Sequence, residues 1–110
     1  ARGLVESKGK YIDREGIRKE LEIIKNTWPE LREKIRNQII PFDEVHDCLR
    51  RAGAPYEPEM IGVSREKLRS TFRAIPFMRN RFTGIDLIYR AGLMDEVEEY
   101  LFGTDGHYEC

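Results

Sequence analysis

Apolar side chains recur along this chain mostly at steps of three and four, the spacing of an amphipathic helix. Asp13 can cap a segment in which Ile17, Leu21, Ile24 and Trp28 form one stripe, with Gly16 weakening the first turn. Thr27-Trp28-Pro29-Glu30 then has the form of a capping box with proline near a helix start. A second helix is expected from there through Leu31, Ile35 and Ile39, interrupted by Pro41. Phe42, Val45, Leu49 and Ala52 predict a short third helix. Gly53 stands where a left-handed C-cap belongs and Pro55 blocks continuation. Residues 53–58 read as a rigid connection, and Gly62 ends a single turn over residues 59–61.

Ser64 is a plausible N-cap for a helix burying Leu68, Phe72 and Ile75, which Pro76 must break or kink. Thr83-Gly84-Ile85-Asp86 marks another start, and Ile85, Leu87, Ile88 and Ala91 carry that helix to Gly92. A last short helix uses Val97, Tyr100 and Leu101 and stops at Gly103. Residues 104–110 show no pattern and are expected to be a mobile tail. No alternating run is long enough for a strand. The expectation is all-α: a single small bundle of five to six short helices over residues 1–103, with no sheet.

Length and composition narrow the function classes. At 110 residues and 13.0 kDa there is room for one small domain. No apolar run approaches the ~20 residues of a membrane span, and no signal peptide is visible at the start. The chain also lacks an initiator Met, so a piece of something longer is expected. Two cysteines, Cys48 and Cys110, make no disulfide framework, which points to the cytoplasm. Cys48 reads as a small core residue beside the apolar face of its helix.

The net charge is −1, yet it is unevenly spread. Residues 64–81 carry six basic side chains (Arg65, Lys67, Arg69, Arg73, Arg79, Arg81) against one acid, Glu66. Residues 82–110 carry Arg90 against seven acids. Two neighbouring helices covering each other's field is the favoured reading, with an anion or phosphate surface as its rival. The near-neutral total argues against nucleic acid and membrane as partners.

Catalytic patterns are absent. A metal site needs several ligands at workable spacings, and there is neither HxxxH nor CxxC. His46 lies between Glu44 and Asp47 on the polar side of its helix and reads as a solvated surface histidine. His107 falls in the expected tail. Positions 46 and 48 diverge on a helix, which excludes a Cys–His nucleophile pair. Gly53 and Gly62 are punctuation rather than a phosphate-cradling loop. Residues 96–99, Glu-Val-Glu-Glu, read as a solvated face. Catalytic, metal and cofactor-binding residues are thus expected to be none.

From Trp28 to Leu93 the chain nevertheless resembles a known family. Trp28-Pro29-Glu30-Leu31 is followed by Leu49-Arg50-Arg51-Ala52-Gly53-Ala54-Pro55 and by Pro58-Glu59-Met60-Ile61-Gly62-Val63-Ser64. Then comes Met78-Arg79-Asn80-Arg81-Phe82-Thr83-Gly84-Ile85-Asp86-Leu87. This order is similar to the C-terminal part of the sn-glycerol-1-phosphate dehydrogenases, within the superfamily of metal-dependent polyol dehydrogenases and dehydroquinate synthases. Pro76 departs from the pattern, where an uninterrupted helix would be expected.

The resemblance implies a helical C-terminal subdomain that partners an N-terminal nucleotide-binding domain of Rossmann type. The parent would use NAD or NADP and a divalent metal, zinc or nickel, held by one Asp and two His that precede the matched segment. None of those ligands or nucleotide contacts maps onto a position here, so the chain alone should be inactive and bind no cofactor. A homodimer is compatible with it. Arg79 and Arg81 are the candidates for anything functional, as guanidinium forks suit phosphate or carboxylate. Pairing with Asp86 or Asp95, or capping carbonyls freed by Pro76, is the plainer role for them. A glycerol or polyol dehydrogenase piece, a helical nucleic-acid-binding module and a self-standing interaction domain are the alternatives.

Overall fold

The computed structural model describes residues 2–110, which hold six α-helices, two 3₁₀ turns and no strand. In chain order these are α1 (Arg2–Lys8), α2 (Arg14–Gln38), α3 (Phe42–Arg51), α4 (Arg65–Phe72), α5 (Gly84–Ala91) and α6 (Met94–Phe102). The 3₁₀ turns are Pro58–Ile61 and Ile75–Phe77. The all-α expectation holds, and no described helix is long and apolar enough to cross a membrane.

The capping residues act as their chemistry dictates. The Asp13 carboxylate accepts from the Gly16 amide at 2.7 Å, and the Ser64 hydroxyl accepts from the Lys67 amide at 3.2 Å. Thr83 and Asp86 form a capping box that opens α5. Gly92 closes α5 at φ 74°, a left-handed conformation that a Cβ would strain. Pro76 does end the α4 run: the helix stops at Phe72, and the chain re-enters a 3₁₀ turn with Pro76 buried.

Two elements differ from expectation. The two helices divided at Thr27 are one helix, α2, 25 residues long with Pro29 inside it. Thr27 does not cap forward to Glu30. Its hydroxyl bonds back to the Ile23 carbonyl at 2.9 Å, as a mid-helix threonine does. The apolar stripe continues in phase across the proline, Leu31 following Trp28 by three, so both halves belong to one face. The second difference is α1, a short helix that no periodicity marked. It lies against the 3₁₀ turn at Pro76, close enough that a Cβ at Gly3 would come within 3.5 Å of the Phe77 carbonyl oxygen.

The core sits in the C-terminal half. Phe72 from α4 meets Phe102 from α6 edge to face, ring centres 5.9 Å apart, and Met94 completes the buried set. Leu68, Ile85, Ile88 and Val97 pack around it. Across the same contact the basic and acidic blocks meet. Arg69 donates to Glu98 at 3.0 Å, and Arg73 bridges Glu98 at 2.6 Å and Asp95 at 2.5 Å. The complementary-helices reading of the charge blocks is what the fold does with these arginines.

Little else is covered. Among the described residues the buried core cluster is Phe72, Met94 and Phe102, while Ile23, Trp28, Ile39, Ile40, Phe42 and Val45 of the α2–α3 arm stay exposed. The radius of gyration is 16.2 Å, against about 13 Å for a compact chain of this length. Accessible surface is 8889 Å², against about 6,300 Å² for a compact monomer of this mass.

Candidate functional site

Two places concentrate polar chemistry. The first lies where α3, the 53–58 connection and the C-terminal segment converge. The rigid connection carries Glu57 back across α3, and Pro58 holds Glu57 in the extended region, at φ −122° and ψ 147°. Its Oε1 then lies 2.8 Å from His46 Nε2 and 3.5 Å from His107 Nε2. The other carboxylate oxygen, Oε2, is buried and among the described residues has no hydrogen-bond partner; Arg65 lies 4.0 Å from it.

Rings flank this cluster, in which His107 stays exposed. Tyr56 stands edge-on to His46 with centres 5.0 Å apart, and Phe42 and Tyr108 stand edge-on to His107 at 4.6 and 4.5 Å. Arg65 fixes the backbone from the far side, its Nη1 donating to the His107 carbonyl at 3.2 Å while its Nε holds Glu59 at 2.7 Å. Burial pushes the Tyr108 hydroxyl above its ordinary range, with the Glu57 charge adding to that.

Here the structure corrects the sequence reading. His46 is half-buried and paired with Glu57 rather than solvated on a polar face. The sequence separation that spoke against a metal on this chain does not hold in space, since one donor atom from each of His46, Glu57 and His107 lies within 4.8 Å of the others. The closing segment folds back: the Tyr108 amide donates to the Leu101 carbonyl at 2.9 Å, and the Cys110 amide to the Phe102 carbonyl at 3.2 Å. Cys48, expected in the core, is exposed, because the α3 face it borders is itself uncovered.

The second place is an apolar cavity of about 450 Å³ between α1, the start of α2 and α5, walled by Leu4, Tyr11, Ile17, Phe77 and Tyr89. Lys10 and Asp86 form a buried ion pair at its base, 2.5 Å apart, and Lys10 also donates to the Pro76 carbonyl. Burial pushes the Asp86 carboxyl up. Lys10 and the Thr83 hydroxyl and amide outweigh it and hold the group below its ordinary value. Arg90 lies over the Phe82 ring at 4.7 Å, binds Glu20 at 2.5 Å and donates to the Lys10 carbonyl. Lys10, Asp86 and Arg90 are each matched by a partner of this chain, which makes the cavity's base a structural joint between α1, α2 and α5.

Arg79 and Arg81 do not take the partners expected of them. Asp86 is held by Lys10 and Asp95 by Arg73, and among the described residues neither Arg79 nor Arg81 makes an ion pair. The structure does not join these two arginines to either cluster. Comparison with protein-family models, with curated proteins and with solved structures finds no match for the chain.

Proposed function

We propose that this chain is the helical C-terminal subdomain of a glycerol-1-phosphate dehydrogenase-like oxidoreductase, built to pack against a nucleotide-binding domain and to form one wall of the cleft between them. The parent interconverts dihydroxyacetone phosphate and sn-glycerol 1-phosphate in the cytoplasm with NADH or NADPH and a divalent metal. A glycerol or polyol dehydrogenase is the neighbouring alternative on the same scaffold. The family assignment rests on the motif order from Trp28 to Leu93.

The observation that carries the docking role is the uncovered surface. The chain exposes 8889 Å², about 2,500 Å² more than a compact monomer of its mass. That excess is of the size an obligate interface covers. It gathers on the α2–α3 arm, where Trp28, Ile39, Ile40 and Phe42 lie open to solvent. A nucleic-acid role draws less support, because Arg65, Arg69 and Arg73 are already engaged by Glu59, Glu98 and Asp95.

Assaying the isolated chain with dihydroxyacetone phosphate, NADH and zinc or nickel tests this reading. No turnover is expected from the chain alone, and activity is expected once the coding sequence upstream of Ala1 is joined to it. Turnover by the 110-residue chain, or an upstream sequence without a nucleotide-binding domain, would refute the assignment.

A further inference from the structure

The cluster at His46, Glu57 and His107 has a geometry that the proposed docking role does not use. Two imidazole nitrogens and one carboxylate oxygen are the donor types that zinc and its borderline neighbours prefer. With metal–ligand bonds of about 2.0–2.2 Å, two ligands of a tetrahedral ion stand about 3.3 Å apart. Glu57 Oε1 lies 2.8 Å from one imidazole Nε2 and 3.5 Å from the other, on either side of that separation. All three donors fall within 4.8 Å of one another.

We propose that His46, Glu57 and His107 form a divalent metal site of the zinc type, with a fourth position left for water or an outside ligand. A second observation supports it. Glu57 Oε2 is buried without a hydrogen-bond partner, and a carboxylate in that condition is stabilised by a cation on its other oxygen. Arg65, 4.0 Å from Oε2, stays on that side, and through the His107 carbonyl it holds the third ligand's backbone in place. The ring walls of Phe42, Tyr56 and Tyr108 limit water around the ion.

A metal here would join three segments far apart in sequence: α3, the 53–58 connection and the C-terminal segment. The α3 helix reaches the rest of the molecule through the Phe42 and His46 rings. The ion would therefore act chiefly as a staple for the α3 arm.

This inference stands apart from the dehydrogenase reading, whose own metal ligands would precede this segment. The test is calorimetric titration of the 110-residue chain with zinc near neutral pH, with helicity followed by far-UV circular dichroism and cobalt substituted as a visible probe. One ion per chain is expected, with micromolar or tighter affinity and tetrahedral cobalt bands lacking a thiolate charge-transfer component. Glu57→Gln and His107→Gln should each weaken binding at least about tenfold, while the Cys48→Ser, Cys110→Ser double variant should bind as the parent does. Absence of saturable binding overturns the site whatever the helicity, as does full affinity in His107→Gln or loss of binding in the cysteine variant. Any of these results would leave an ordinary His–Glu hydrogen bond.

Discussion

Because the core is so small, truncating one residue in it should remove most of the chain's stability, while truncating the open face should not. Phe102 is 2% exposed and touches both the Phe72 and Tyr108 rings. Removing a phenylalanine side chain from such a site costs about 3–5 kcal/mol, as lost transfer free energy plus the cavity left behind. The fully extended chain would expose roughly 18,800 Å², and the folded one exposes 8889 Å². Folding therefore buries roughly 10,000 Å², where a compact chain of this mass would bury about 12,500 Å². With a fifth of the usual burial missing, stability belongs at the low end of the about 5–15 kcal/mol range. Phe102→Ala should then leave no more than about 2 kcal/mol of stability. Ile40→Ser, at a position 63% exposed at the α2–α3 corner, should stay within about 0.5 kcal/mol of the parent chain. Urea unfolding followed by far-UV circular dichroism measures both. A Phe102→Ala variant within about 1 kcal/mol of the parent, or an Ile40→Ser variant equally damaged, would refute this placement of the core.

Two further outcomes follow from individual groups. Asp86 titrates below its usual 3.8 in the folded chain, so its contribution is present above that pH and lost as pH falls through the folded value. Glu98, lowered by Arg69 and then Arg73, acts in the same direction. The urea midpoint should be level from neutral pH to about 5 and fall below about 4, and Asp86→Asn should flatten that fall; an unchanged acid limb in the variant would count against the Lys10–Asp86 joint. At Gly106, a Cβ would meet the Leu101 carbonyl oxygen at 2.6 Å, a backbone atom that cannot swing aside. Gly106→Ala should therefore detach residues 106–110 from α6 and cost about 1–3 kcal/mol, read as a lower urea midpoint and faster amide exchange at Tyr108. Unchanged exchange there would mean the segment does not pack as described.

Helix ends carrying local chemistry were readable from the sequence, because a cap is decided by residues within one turn of it. Ser64, the Thr83–Asp86 box, Gly62 and Gly92 all act where their side chains or their lack of one predict. Pro29 misled because two local rules conflicted. Thr-x-x-Glu with proline at the start is a helix opening, while the stripe from Ile17 to Ile35 is one helix, and the longer-range pattern prevailed. α1 left no trace for a different reason. Its position depends on the Lys10–Asp86 pair and on contact with the turn at Pro76, partners seventy residues downstream that no window of sequence contains.

The candidate metal cluster was hidden by the same separation and by one false premise. His46 and Glu57 are eleven residues apart, with Gly53 and Pro55 between, and no spacing rule for ligands on one helix applies to them. His107 belongs to a segment without periodicity, and a segment can be ordered without any periodicity of its own. What orders that segment is not its own pattern but what α6 offers it: the Leu101 and Phe102 carbonyls at the helix end, which α6 cannot satisfy itself. Those carbonyls accept from Tyr108 and Cys110, Tyr108 packs on Phe102, and the turn through Gly103 and Gly106 then sets His107 beside Glu57. One signal was available: an aromatic and a histidine placed just after a glycine-terminated helix, in a chain short of core. A chain that buries so little has reason to fold its last tyrosine back onto its core, and the histidine next to it is carried along.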